Sequence, residues 1–430
     1  MLRTAPAPVL ESSYRLKYIS NAEYEFQYTR LLLTALGIWP KIFTNATRVE
    51  KIFAFLIFGI FILTLTLSVI PFVLFTSIKV KTMNDRLVFL GPLGFHLTNS
   101  VKYIFMMRHA DAMKKCLSHM KNDWMRAITA EEQRVMLKSA NLGRSLTRLC
   151  ALFMYSGGVF FQAMAVFKPK EIDEFNVTIR QHVLPRYDYF VDAQISPVFE
   201  ITYATHVLCI IFLYTIEITA CNLAAVFVGH ICGQVQVMKV KLNKLQQFEK
   251  FGSPKRLDNP IASIIHCHVN LLKSVGNIRT VLREICLVEV MYSSVVMCWL
   301  EFFCLKEWSN GQGLSVATYF TLFVSLTFNI FILCYIGERL KNECQSVADL
   351  TYMTDWCQIP RKKLSSFILI IAMARYPRNI TAGGLVDLTL QSFGDVSVEN
   401  FISIFANVAD SYNNSPIKTG SLLCRWPFSP

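Results

Sequence analysis

Six ionisable side chains stand inside apolar runs long enough to cross a bilayer: His96, Lys102, His206, Glu217, Glu289 and Glu301. Placed bare at the bilayer centre, each charge costs about 2.5–3.5 kcal/mol or more, so each must face protein, water or a partner. An ion path or a ligand contact would satisfy that demand, and so would a structural ion pair or a subunit contact. For any single member the structural role is the commoner one. A second set is aromatic and hydroxylic: Tyr155 and Phe160 beside Gly157 and Gly158, then Tyr203, then Tyr319 and Phe320. With His206 these could line an apolar cavity that carries a few polar groups. The same residues would also serve in ordinary packing and in an interfacial aromatic belt.

Reaction chemistry finds no comparable support. No Gly-rich phosphate loop, HExxH or GxSxG occurs, so the chain does not read as an enzyme and needs no cofactor. His266 and His268 flank Cys267, but residues two apart on a helix point different ways, so no metal site is expected. Thirteen cysteines without a CxxC pair or regular spacing make neither a disulfide framework nor a zinc signature.

The elements that must position these residues follow from composition. With 53% hydrophobic and 17% charged residues, and a mean hydropathy of +0.38, a soluble fold is excluded. The chain reads as an all-α polytopic membrane protein. Residues 52–77, 87–107, 149–167, 201–228, 285–305 and 314–336 are each long enough to span about 30 Å of hydrocarbon. A seventh element reads as broken: a short buried helix at 364–374 stops before Pro377, and a polar-streaked helix follows at 380–408, carrying Asp387, Asp395 and Glu399.

Charge sets the expected orientation. Of the Lys and Arg residues, 32 lie in one set of alternating segments and 10 in the other, with Lys102 inside a span. The positive-inside rule then puts the N-terminus in the cytoplasm and, after seven crossings, the C-terminus outside. The +13 net charge is read as topology, because no basic cluster is interleaved with stacking aromatics and no nucleic-acid partner is expected. The first 30 residues lack a signal-peptide pattern. The sequon at Asn176 falls in an outer loop and is a glycosylation candidate; the triplet at Asn45 falls inside.

Between 230 and 284 the chain is periodic. Ile231, Val235, Met238, Leu242, Leu245 and Phe248 step by 4, 3, 4, 3, 3, and Ile265, Val269, Leu272 and Val275 follow after the Gly252-Ser253-Pro254 turn. Helices four and five are expected to continue into the cytoplasm as an amphipathic hairpin. Spacing admits both an intramolecular pair and an oligomerisation domain.

Several stretches, in order, resemble the insect odorant receptor family, and most closely its ant, bee and wasp expansions. They include Ile38-Trp39-Pro40, Gly91-Pro92-Leu93, the segment from His119 to Asp123-Trp124, Phe153 to Gly158, Asn176 to Arg180 and Ser196 to Glu200. Further on come Gly229 to Gln234, Phe328 to Gly337, Tyr352 to Trp356 and Thr381-Ala382-Gly383. The likeness covers about residues 25 to 396. It implies a seven-helix tuning subunit of an odorant-gated, non-selective cation channel in the plasma membrane of olfactory sensory neurons. It also implies a heteromeric tetramer with the odorant receptor co-receptor, and a small, mostly apolar ligand. Under it the organisation is a cytoplasmic N-terminal segment (1–51) and helices one to four with the ligand-pocket region (52–229). A cytoplasmic helical anchor (230–284), helices five and six (285–337), a second anchor piece with the short helix (338–379), a pore helix (380–409) and a divergent tail (410–430) follow. The pocket region holds Tyr155, Phe160, Tyr203, His206, Tyr319 and Phe320. Past Val396 the chain departs from the family, reading Ser397-Val398-Glu399-Asn400-Phe401, yet Phe401, Phe405 and Val408 still share a helical face and are the pore-lining candidates. Two rivals carry less: a G-protein-coupled receptor has the opposite orientation and its motifs are missing, and a transporter is disfavoured by an odd helix count without inverted repeats.

Overall fold

The computed structural model describes residues 7–43, 46–81, 83–167, 171–172, 178–179, 195–251, 258–354, 361–375 and 380–395. The sequon at Asn176, the turn at 252–257 and the pore-lining candidates Phe401, Phe405 and Val408 lie outside them. The described residues are helical almost throughout. In order come α1 (Ala7–Ala35), α2 (Trp39–Ile42), α3 (Arg48–Leu74), α4 (Met83–Arg108), α5 (Ala110–Arg126) and α6 (Ala130–Phe167). Then follow α7 (Val198–Phe251), α8 (Asp258–Ser309), α9 (Gly313–Tyr352) and α10 (Arg361–Arg375). Four of these, α3, α7, α8 and α9, are long and apolar enough to cross a membrane. The all-α membrane architecture read from composition is the one observed.

α3 shows why such a helix needs lipid. Thr47 accepts from the Glu50 amide at 3.2 Å while Glu50 accepts from the Thr47 amide at 2.8 Å, a capping box that fixes its start. Phe61, Thr64, Ser68 and Phe72, at steps of 3, 4 and 4, form its buried stripe. The rest of its surface, including Phe55, Leu56, Leu63 and Leu67, is exposed and apolar, which hydrocarbon accepts and water does not.

α7 and α8 have 54 and 52 residues, about 80 Å each at 1.5 Å per residue, so both run far past a 30 Å apolar layer. Their extensions, with α5 and the first half of α6, carry the lysine and arginine surplus at one end of the bundle, here termed the basic end. Along α7, Ile231, Val235, Met238, Leu242 and Leu245 are all at most 1% exposed, so the 4, 3, 4, 3 spacing is the buried face. On α8 the buried face is Ile261, Ile264, His268, Leu271, Val275, Ile278 and Leu282. The set Ile265, Val269 and Leu272 lies beside it, with Val269 43% exposed: α8 turns a mixed stripe inward, and a purely apolar count misses His268.

α6 and α7 pack closely because both are cut to small residues at the crossing. A Cβ on Gly143 would stand 3.0 Å from the Ala225 carbonyl, and one on Gly229 3.5 Å from that of Ser139. α1 is docked at the basic end by a buried polar network. Trp124, fully buried, donates from Nε1 to Glu25 at 2.6 Å, and the same carboxylate faces His230 Nδ1 at 3.2 Å. Arg144 lies over the rings of Tyr24 and Tyr28, at 3.8 and 4.3 Å from their centroids.

Beyond α10, residues 380–388 depart from the helix expected to begin at 380. They form a two-stranded hairpin, β1 (Thr381–Ala382) with β2 (Val386–Asp387), turned by Gly383 at φ +66 and Gly384 at φ +85. Two consecutive left-handed residues cannot continue a right-handed helix. The hairpin is seated by Gly383 N–H donating to the Arg283 carbonyl at 2.9 Å, and by the Leu388 carbonyl resting where a Cβ of Gly337 would be. Helix resumes only at residues 390–395. The preceding α10 buries Phe367, Ile370 and Ala374 but leaves Ile368 and Leu369 56% and 61% exposed, so it is amphipathic and not a buried helix.

Candidate ligand pocket and its charged base

Three of the six intramembrane ionisable residues come together. Lys102 of α4 donates from Nζ to Glu217 of α7 at 2.6 Å and also to Glu289 of α8. Asn329 of α9 donates to both carboxylates at 2.8 Å each, and Ser293 donates to Glu289 at 3.2 Å. Cys150 of α6 completes the shell, its thiol 3.4 Å from Asn329 Oδ1. Five helices therefore meet at one polar point from which water is excluded: Lys102 is 0%, Glu217 2%, Glu289 1% and Asn329 1% exposed. The ammonium is shared by two carboxylates, and the amide of Asn329 supplies the remaining donors. Spacing in sequence predicted a partner for each charge. It could not predict which, since Lys102 and Glu289 are 187 residues apart.

The other three do not join. His96 is buried and bonds from Nδ1 to the Pro92 carbonyl at 2.8 Å within its own helix. His206 is buried high on α7, and Glu301 is half-buried with burial raising the cost of its charge.

Above the ion cluster, toward the far end, lies an aromatic layer. Tyr214, one turn from Glu217, meets Phe95 of α4 at 5.2 Å and Tyr155 of α6 at 6.4 Å between ring centroids. Phe95 also meets Tyr292 of α8 at 6.4 Å, whose hydroxyl donates to the Gly91 carbonyl at 3.3 Å. A further turn up, Trp299 packs on Phe303 at 4.7 Å and on Tyr319 of α9 at 6.2 Å. Glycines make room for these rings: a Cβ at Gly158 would collide with Tyr214, and one at Gly91 would stand 2.7 Å from Trp299.

Of the pocket candidates, the structure brings Tyr155 and Tyr319 into this layer. Tyr155 shares a 2.9 Å hydrogen bond with Thr215. Tyr203 stacks on Phe199 at 6.3 Å instead, near the start of α7. Phe160 is half-buried, and Phe320 is 57% exposed and turned away from the bundle. Measured along the helices from the level of Glu217, Cys150 and Asn329, Tyr155 lies about 7 Å, Tyr319 about 15 Å and Tyr203 about 21 Å up. The candidates thus form a column and do not share one depth. Missed from the sequence were Phe95, Tyr214, Tyr292 and Trp299. Tyr214 could have been found from Glu217: a ring three residues from a buried carboxylate lies one turn above it on the same face.

The arrangement presents half-buried aromatic rings with a phenol and a hydroxyl among them, above a fixed charge. Among the described residues of this layer there is no nucleophile–base pair.

Comparison with known proteins agrees with this architecture. The family described as 7tm Odorant receptor matches residues 80–397. Odorant receptor 10 of Aedes albopictus is 23% identical over 208 residues, covering 47% of this chain and 53% of that protein. Odorant receptor 2a of Drosophila melanogaster is 23% identical over 161 residues, covering 36% and 39%. The chain thus matches about half of these relatives' length or less. Among solved structures, the olfactory receptor OR5 of Machilis hrabei in complex with eugenol superposes with a TM-score of 0.71 at 13% identity, over 91% of this chain and 99% of that one. The same receptor without the ligand superposes equally well.

Proposed function

The chain belongs to the 7tm odorant receptor family, and from that premise we propose that it is the ligand-tuning subunit of an odorant-gated, non-selective cation channel. It assembles with the odorant receptor co-receptor as a heteromeric tetramer in the plasma membrane of olfactory sensory neurons. The 32 to 10 distribution of Lys and Arg supports a cytoplasmic basic end, with the N-terminus inside and the C-terminus outside. Phe401, Phe405 and Val408 are the proposed pore-lining residues, and Asn176 the proposed glycosylation site.

The observation that carries the reading is the aromatic column over the buried ion cluster. A ligand entering between Tyr155, Tyr214, Phe95 and Tyr319 gains about 2.5 kcal/mol for each 100 Å² of apolar surface it buries. The Tyr155 and Thr215 hydroxyls give it one or two polar contacts. Tyr203, His206, Phe160 and Phe320 stand higher or to the side and belong to the entry path in this reading. Because a ligand moves an equilibrium only through differential affinity, the odorant must fit the column better in the open channel. The related receptor's eugenol complex makes a small phenol the first probe.

The test is whole-cell recording from cells carrying this chain and the co-receptor, with a panel of small odorants that includes eugenol, and with epitope tags at both ends. Expected is an odorant-evoked cation current lost without this chain, with an N-terminal tag reached only after permeabilisation. A surface-expressed chain with an exposed N-terminal tag and a hidden C-terminal one would overturn the channel reading in favour of a G-protein-coupled receptor.

A further inference from the structure

At the basic end, well away from the aromatic column, a cavity of about 310 Å³ opens where the end of α5 and the start of α6 meet the extensions of α7 and α8. That volume suits a small molecule. Its polar lining consists mainly of donors: Arg126 from α5, Gln234 and Lys241 from α7, and Ser263, His266 and Asn270 from α8.

These donors have spare capacity. Lys241 Nζ reaches the Ser263 hydroxyl at 3.3 Å, and among the described residues no carboxylate lies within ion-pair distance of it. Arg126, 58% exposed, approaches Asp123 only at 3.7 Å. Gln234 donates to the Met136 sulfur at 3.5 Å, a weak acceptor. Asn270 Nδ2 meets His266 Nδ1 at 3.1 Å, so the second amide proton of Asn270 and Nε2 of His266 stay outside that contact. The cavity's one carboxylate, Asp123, is already engaged by His230 at 3.4 Å. The carbonyl end of α5 carries roughly half a negative charge, against two full cations, and the Ala127 carbonyl there already accepts from Gln133 at 3.1 Å.

A site with two permanent cations, several free N–H and O–H groups and one committed carboxylate calls for an anion with many acceptor oxygens. Arginine engages phosphate through its fork and lysine as a point charge, so a phosphate ester uses this donor set more fully than a carboxylate does. Lys241 and His266 stand about 20 and 28 Å past the apolar limits of α7 and α8, beyond the headgroup layer. We propose that this cavity is a binding site for a phosphate ester taken from the aqueous phase at the basic end, held by Arg126 and Lys241 with His266 and Gln234, and that its occupation ties α5 to α7 and α8.

The test is thermal unfolding of the full chain, purified in detergent at fixed ionic strength, with inositol 1,4,5-trisphosphate as the soluble probe. A parallel arm uses vesicles containing phosphatidylinositol 4,5-bisphosphate. Expected is a saturable rise in midpoint with the free probe. Arg126→Gln and Lys241→Gln should each weaken it about tenfold, and Lys115→Gln, an exposed lysine outside the cavity, should not. Gln234→Glu, which places a carboxylate in the cavity, should abolish it, and the ligand-free midpoint of each variant reports its fold. No rise with either probe, or a rise that all three cavity variants leave unchanged, overturns the site. A rise with the vesicles alone overturns the aqueous source.

Discussion

Replacing Lys102 by methionine keeps the aliphatic stem and deletes the ammonium that Glu217 and Glu289 share. Both carboxylates are at most 2% exposed, so the variant strands them in a site water does not reach. Breaking a buried pair by removing one partner costs about 3–5 kcal/mol. Here one ammonium serves two acceptors, so the upper half of that range is expected, a large share of the roughly 5–15 kcal/mol that folded chains hold in reserve. At about 2 °C for each kcal/mol in a long chain, the midpoint should fall by about 8–10 °C. Size-exclusion of fluorescent-tagged, detergent-solubilised protein after a temperature series reads this. The decisive control is the neutral triple variant Lys102→Met with Glu217→Gln and Glu289→Gln, whose amides bond to Asn329 without charge and which should recover most of the loss. Glu217→Gln alone leaves a one-to-one pair and should cost little. These positions touch, so their effects must be strongly non-additive. A Lys102→Met midpoint equal to the parent's, or a triple variant no better than the single one, would refute the claim that the ammonium holds the two carboxylates.

The other expectations concern glycines, a docking bond and a thiol. Gly158→Ala must push the Tyr214 ring toward Phe95 and should shift the odorant dose response with a stability loss of about 1–3 kcal/mol; an unchanged dose response would take Tyr214 out of the column. Gly337→Ala meets the Leu388 carbonyl, backbone that cannot rotate away, and should speed hydrogen exchange across 380–388 before it affects α7. Trp124→Phe removes the 2.6 Å bond to Glu25, should cost about 1.5–3 kcal/mol, and should loosen α1 by the same exchange measurement. Burial pushes the Cys116 thiol up to about 12, so at pH 8 it should resist alkylation until the chain unfolds.

What could be read in advance followed from local physics. Periodicity and capping are local, so the apolar length of α3, its capping box and the buried face of α7 through Leu245 stand in the sequence itself. α8 was read wrongly by one residue's rotation because its inward face includes His268, whose burial depends on what packs against it. The hairpin at 380–388 was readable in part: Gly383-Gly384 announces a turn, but Ile380, Val386 and Leu388 also suit a helix, and only their seat on Gly337 and Arg283 decides. The ion cluster marks the real limit. Lys102, Glu217 and Glu289 were each recognisable as needing a partner, yet their meeting depends on the relative height of α4, α7 and α8, which no short window of sequence encodes. The same missing helix height hides from the sequence that Tyr155, Tyr203 and Tyr319 stand at different levels of a column.

The ion cluster and the column bear on one another. α4, α7, α8 and α9 are tied at one level by the Lys102 charge, whereas above that level they meet mostly through aromatic rings, with Tyr292 bonded to the Gly91 carbonyl. A molecule that wedges rings apart therefore spreads the far halves of the helices about a fixed point. The tilt of α8 and α9 must appear below that point with opposite sign. What lies directly below is the hairpin, bonded to Arg283 of α8 and seated on Gly337 of α9, and it leads into the last helix through Leu388 and Thr389. Phe393 already touches Phe331 of α9 at 5.6 Å between ring centroids. Under the proposed channel function, this gives odorant binding a short mechanical route toward the proposed pore helix in which no charge has to move. That is the economical arrangement where displacing a buried charge would cost more than a small apolar ligand can supply.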